Sequence, residues 1–145
     1  MMQRILPVIV VIAALVARPA TAQLSDDDVD RAIKKLQTYI LNNQQKGGWD
    51  HMYQNPHAGK SGVTAMVVYS LVASGVSVQH PQIQEAIKLL RGIEGDHTYE
   101  VGLRCHAWGQ LPDEYKNEMQ KDSNLLRATG SKGVFSYKVS MSPKA

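Results

Sequence analysis

Cysteine is almost missing: Cys105 is the one cysteine in 145 residues, so no disulfide can form within the chain. Packing alone must hold it together. A membrane-length apolar run at the N-terminus is missing as well. Ile5 to Ala17 is thirteen uncharged residues and contains Pro7, against the roughly 20 apolar residues a spanning helix needs. An excess of one charge is also lacking. The 16 basic and 13 acidic residues become 14 and 13 once Arg4 and Arg18 are set aside. That balance offers no field for nucleic acid or anionic lipid. A G-x-S-x-G nucleophile elbow is absent too.

What is present begins with an export signal. Arg4 charges a short leading segment, the apolar run follows, Arg18 stops it, and Ala20-Thr21-Ala22 places small residues at −3 and −1. This predicts cleavage between Ala22 and Gln23 and an exported protein, periplasmic or secreted, with no transmembrane segment after cleavage. The remaining 123 residues suit one domain. The expected organisation is residues 1–22 signal peptide, 23–130 helical domain and 131–145 C-terminal tail.

Hydrophobic spacing then predicts five helices. Ser25 and Asp28 form a capping box, Leu24 can staple onto Val29, and Val29, Ile33, Leu36 and Ile40 make one stripe, so the first helix runs from about 26 to 45. Gly47-Gly48 ends it, and a polar loop carrying Asn55-Pro56 leads to Ser61. From Gly62 to Ser74 apolar residues cover the whole circumference, which predicts a helix buried on all sides and closed by Gly75. Pro81 at N1 opens a one-sided helix with Ile83, Ala86, Ile87 and Leu90 on its apolar face. Thr98 to Gln110 is again mostly apolar, and Pro112 opens a fifth helix that finishes before Gly130.

One-sided and apolar helices therefore alternate, as stacked helical hairpins require. Val29 to Leu36 aligns with Ile83 to Leu90, and Lys46-Gly47-Gly48-Trp49 aligns with Lys132-Gly133-Val134-Phe135. Internal repetition is expected.

The end of the first helix, Tyr39-Ile40-Leu41-Asn42-Asn43-Gln44-Gln45-Lys46-Gly47-Gly48-Trp49, resembles the glutamine-tryptophan repeat of the terpenoid cyclase and prenyltransferase group. Asn43 stands at the glutamine position and Gln44 one place late. Gly62-Val63-Thr64-Ala65, Thr98-Tyr99 and Gly102-Leu103 look like exported bacterial members, so the likeness spans about Ser25 to Tyr137. The resemblance implies an all-α fold, an incomplete α/α toroid of about five helices after the signal peptide, and no particular reaction. In that family the segment Asn43, Gln44, Gly47, Gly48 and Trp49 would be structural. An amide after the last turn can satisfy orphan carbonyls, and Trp49 can wedge between hairpins.

Several patterns imitate reaction chemistry. Asp26-Asp27-Asp28-Val29-Asp30 fits a magnesium-binding D-D-x-x-D, yet a first helical turn accounts for these aspartates at roughly 0.3–1 kcal/mol each. The family's protein prenyltransferases hold zinc with aspartate, cysteine and histidine, which makes Asp50, His57 and Cys105 the metal candidates, with His51 and His106 nearby in sequence. The Asp-x-Cys step is absent, because position 103 is Leu, and Cys105 and His106 point to different sides of a helix. Gly59-Lys60-Ser61 imitates the end of a phosphate-binding loop, but position 54 is Gln where a glycine is required, so Ser61 reads as an N-cap. The D-x-D-D of squalene-type cyclases and the Cys-Gly-Glu-Gln thioester of complement-like toroids are both missing.

These readings favour a non-catalytic exported module with no catalytic or cofactor-binding residues. It would bind a protein partner, or itself, through apolar helix surface at Val67, Leu71, Leu103 and Trp108. No cofactor is expected. The alternatives are a prenyltransferase-like zinc enzyme or isoprenoid/lipid-binding protein, and a truncated fragment without independent function. Two and a half hairpins cannot close a ring, so some apolar surface should stay uncovered.

Overall fold

The computed structural model describes residues 24–52, 61–95, 97–131 and 134–135. The expected signal peptide and its cleavage site lie outside them. So do Asn55, Pro56, His57, Gly59, Lys60, Lys132, Gly133 and the tail beyond Phe135. The described chain is all-α, as its hydrophobic spacing predicts. Its helices are α1 (Asp26–Asn42), α2 (Gly62–Ala73), α3 (Pro81–Gly92), α4 (Thr98–Gln110) and α5 (Lys116–Thr129). Short 3-10 turns at Asp50–Met52 and Asp113–Tyr115 precede α2 and α5. Among the described residues no helix is long and apolar enough to cross a membrane.

Contacts divide the chain into two units, Met1–Ala32 and Ile33–Ala145. The described part of the first is the opening of α1. There the capping box forms: the Asp28 amide donates to Ser25 Oγ at 3.2 Å, and the Ser25 amide donates to the Asp28 carboxylate at 3.2 Å. Leu24 remains 77% exposed, so the expected staple onto Val29 covers little of it.

In the second unit α1 stops at Asn42, three residues before the expected end. Side chains from outside the helix claim its last carbonyls. Asn43 Nδ2 donates to Tyr39 O at 2.8 Å, Trp49 Nε1 to Ile40 O at 2.7 Å and Gln82 Nε2 to Leu41 O. These donors replace the amides that a longer helix would supply. The chain then reverses through Lys46 and Gly47, both with positive φ, between reciprocal Gln45 and Gly48 backbone bonds of 2.9 and 3.0 Å. A similar pairing follows α5: β1 (Gly130–Ser131) and β2 (Val134–Phe135) are antiparallel, with Ser131 opposite Val134. The two pairings, Gln45 with Gly48 and Ser131 with Val134, occupy matching places in the aligned segments.

Helix α2 closes as its glycine predicts. Gly75 has φ +96°, its amide reaches Val72 O, and the Val76 amide reaches Leu71 O, which together make a Schellman end. Pro81 is at the start of α3, and α5 ends before Gly130. The fifth helix differs at its start: Pro112 leads into the 3-10 turn, and regular helix begins at Lys116.

The core gathers around Trp49 and Trp108. Ala65, Val68 and Leu71 of α2 meet Ile83, Ala86, Ile87 and Leu90 of α3 and Ala107 of α4 there, all at 1% exposure or less. Helix α4 packs most extensively, against α2 on one side and α5 on the other. Trp108 stacks on Tyr115 at 6.4 Å, and the Arg91 guanidinium lies 4.9 Å over the other ring partner, Tyr115. Two helices depart from the sequence expectation. Helix α2 is not enclosed on all sides, because neighbours cover one face and leave Met66 and Tyr69 45% and 40% exposed. Helix α4 is not simply an apolar helix: it buries Glu100 and Arg104 while Tyr99 stays exposed.

Candidate functional site

Three groupings of side chains are candidates, and their burial separates them. The first surrounds the start of α2. Asp50 Oδ1 accepts the amides of Val63 at 3.1 Å and Thr64 at 3.3 Å, while its Oδ2 accepts the Thr64 hydroxyl. Thr64 Oγ1 in turn accepts the Trp49 amide at 2.9 Å. Asp50 is thus the side chain that caps α2. Ser61 stands at the N-cap position, but its hydroxyl makes no cap bond and donates instead to Glu100. The expected role of Ser61 passes to Asp50 because a carboxylate can take two amides and a hydroxyl together, with help from the helix dipole. A serine bonded to a carboxylate has the composition of an activated nucleophile. Ser61 and Glu100 are both 0% exposed, so no substrate reaches them in this conformation.

The second grouping joins α4 to α5. Arg104 donates from Nε and Nη2 to the two oxygens of Asp122 at 2.9 and 3.1 Å, and from Nη1 to Ile93 O. Trp108 Nε1 adds a bond to Asp122 at 2.7 Å. Arg104 and Asp122 are 3% and 1% exposed. A buried two-pronged pair with a further guanidinium bond to a backbone carbonyl is a structural tie.

The third grouping is a surface. On α2, Met66, Tyr69, Ser70 and Ala73 are exposed at the spacing of one helix face; on α4, Tyr99, His106 and Gln110 are exposed at the same kind of spacing. The stripes meet where the Tyr69 and His106 rings make an edge contact at 6.1 Å. Helix α2 has no formally charged residue, and the two charges of α4, on Glu100 and Arg104, are both turned inward. The outward stripes therefore carry aromatic, thioether and small polar groups with His106 as their imidazole.

The structure places the residues singled out in the sequence as follows. Asp50 is engaged by α2, Cys105 faces Ser123 on α5 at 3.8 Å, and His57 is outside the described residues. Burial pushes the Cys105 thiol above its ordinary pKa, the opposite of what a ready thiolate ligand needs. His51 is exposed. Among the described residues no three His, Cys, Asp or Glu side chains stand close enough to share an ion. In the acidic run, the Ser25 hydroxyl, and after it Arg31, hold the Asp28 carboxyl below the usual range. This is cap chemistry. Asn43 and Trp49 bond α1 carbonyls, Gln44 Nε2 donates to Gln82 O at 2.7 Å while Gln82 reaches back to Leu41, and Gly47 and Gly48 make the reversal.

The expected interaction surface needs correction. Leu71 and Trp108 are 1% and 2% exposed and belong to the core, and Val67 and Leu103 are half-buried. Met66, Tyr69 and Tyr99 are the exposed large hydrophobic side chains of these helices. The count of apolar residues in α4 does not reveal Glu100, Arg104 and Asp122. A usable signal was there: Glu100, Arg104 and Trp108 repeat at a spacing of four, so they share a face with Val101 and Ala107.

Among the described residues there are also clefts open to solvent. One of about 560 Å³ is lined by Lys46, Gly47, Glu85, Lys88, Leu89, Gly92 and Ile93, and one of about 300 Å³ by Arg91, Arg104, Asn117, Glu118 and Lys121. Their lysine and arginine ends are surface groups or are engaged as described, Arg91 with Glu118 at 2.7 Å. No family model, curated protein or solved structure matches the chain.

Proposed function

We propose that this chain is an exported, non-catalytic helical-repeat module of the terpenoid cyclase and prenyltransferase type, and that it binds a partner through the uncharged face of α2 and α4. The exposed stripe of Met66, Tyr69, Tyr99 and His106 carries this reading, since aromatic and methionine side chains that pass up burial are costly on a surface without a partner. The repeat assignment draws support from the Gln44 and Gln82 exchange, which ties the end of α1 to the start of α3 as a glutamine-tryptophan segment would. The matched pairings of Gln45 with Gly48 and of Ser131 with Val134 add to it. A partial toroid follows from that assignment. The non-catalytic part rests on carboxylates that are occupied or enclosed: Asp50 caps a helix, Asp122 holds Arg104 and Glu100 holds Ser61.

A solvatochromic hydrophobic dye tests the surface. The wild-type protein is expected to bind it, and Met66→Glu with Tyr69→Glu should lower that binding while melting at the same temperature and leaving the share held by the exposed α1 stripe. Turnover of an isoprenoid diphosphate or a peptide by the purified chain, followed by mass spectrometry, would overturn the non-catalytic reading.

A further inference from the structure

We propose that the cleft between the Gln45–Gly48 reversal and α3 binds a small monocarboxylate with an apolar body, its carboxylate held by Lys46 and Lys88 and its body lying on Leu89 and Ile93. This site is separate from the α2/α4 face. The backbone of Lys46 gives the first indication. Reciprocal bonds between Gln45 and Gly48 enclose Lys46 at φ 51° and Gly47 at φ 82°, the signs of a type I′ turn. Asparagine, aspartate or glycine suits the first of those positions, and a lysine there holds its backbone in a sparsely populated region. The turn gains nothing from that choice. What lysine adds is a cation on the wall of a cleft of about 560 Å³, a size that ligand sites take.

The walls define the ligand. Lys88 lines the same cleft from α3, and among the described residues neither lysine lies within ion-pair reach of a carboxylate, whereas Arg31, Arg91, Arg104 and Lys116 each pair with one. Two uncommitted ammonium groups favour an anion. Glu85, one turn before Lys88, lines the cleft as well, so a second negative charge on the ligand meets repulsion and a monoanion is preferred to a phosphate dianion. Leu89 and Ile93 are half-buried and supply the apolar strip. The reversal is packed on α3, since a Cβ on Gly47 would stand 3.4 Å from Glu85 O and 3.8 Å from Leu89 Cβ. Exposed lysines attract weakly, so millimolar binding is expected. An acyl chain and the last residue of a peptide both present this chemistry.

Amide NMR of the isotope-labelled full chain, titrated with octanoate, tests the proposal. Octanoate should shift the Gly47 and Ile93 amides to saturation. Acetate, which lacks the body, and octanamide, which lacks the charge, should each bind at least about threefold more weakly. N-acetyl-leucine separates the sources: tighter binding than octanoate assigns a peptide end, and weaker binding an acyl chain. Lys46→Asn and Lys88→Met should each weaken octanoate about two- to fivefold, as exposed charge pairs do, and Lys46→Arg should keep it. Lys46→Asn should also melt at the same temperature or above, because asparagine tolerates the left-handed backbone. A lower melting temperature in that variant would mean that the lysine serves the fold, and it would overturn the proposal. Octanamide bound as tightly as octanoate overturns it too, as does an octanoate titration in which Gly47 and Ile93 stay still. Shifts confined to Met66, Tyr69 and Tyr99 would place the acyl chain on the α2/α4 face, sinking the cleft and leaving that surface standing.

Discussion

Helices α1 and α3 carry nearly the same pattern and meet opposite fates. Val29, Ala32, Ile33 and Leu36 align with Ile83, Ala86, Ile87 and Leu90. The α3 residues are 0–1% exposed; Val29, Ile33 and Leu36 are 45%, 37% and 60% exposed, and Ala32 is exposed too. Each helix is strongly one-sided, and α1 nevertheless buries no residue. A stripe records which face of a helix gains from cover, and the neighbours decide whether cover arrives. In α3 it arrives from α2 and the Trp49 and Trp108 core. Helix α4 is the converse case, burying two charged side chains because Ser61 and Asp122 are there to receive them.

The largest effect should come from that converse case. Asp122→Ala leaves the Arg104 guanidinium enclosed with Ile93 O as its described remaining acceptor, and it strips the Trp108 indole of its partner. Breaking a buried pair from one side costs about 3–5 kcal/mol, which denaturant unfolding would read directly. Replacing both partners, Arg104→Met with Asp122→Leu, should return much of that stability. If the double variant is no better than the single one, the pair does more than satisfy itself.

Next comes the covered stripe. Leu90→Ala removes a fully buried side chain from the α3 core and should cost about 2–5 kcal/mol. A smaller loss, about 1–3 kcal/mol from overpacking, is expected of Gly48→Ala. Its new methyl would stand 2.5 Å from Thr64 Oγ1 and 2.7 Å from Leu89 Cδ2. Gly48→Ala also sharpens the comparison, because that crowding lies where the end of α1 is tied to α2 and α3. Thermal melting with the α1 amides followed by hydrogen exchange should show extra opening at Ile40 and Leu41, whose carbonyls Trp49 and Gln82 hold.

Local rules made much of the fold legible. The capping box at Ser25, Gly75 with positive φ, Pro81 at a helix start and the stop before Gly130 each depend on a few neighbouring residues, and each is found. Features that depend on distant partners were not legible. The early stop at Asn42 needs Trp49 and Gln82, and the turning of Glu100 inward needs Ser61. The burial of two residues of the expected surface was hidden for the same reason: Leu71 and Trp108 look as available as Met66 and Tyr69 until α3 and α5 are in place. Apolar character marks a wish for burial, and which residues miss it is a tertiary outcome.

The smallest effect is the one that bears hardest on the comparison. Leu36 aligns with Leu90, and the two leucines differ in exposure from 60% to 0%. Leu36→Ala should therefore change stability by no more than about 0.5 kcal/mol, the range of surface substitutions, with alanine's better helix propensity offsetting part of any lost contact. The denaturant midpoint and slope should both match the wild type. A loss of about 2 kcal/mol or more, of the size a core leucine gives, would mean that α1 finds cover in solution. Repeating the measurement at several protein concentrations then tells the cover apart. A loss that grows with concentration would assign it to a second molecule, and a loss independent of concentration to the chain itself.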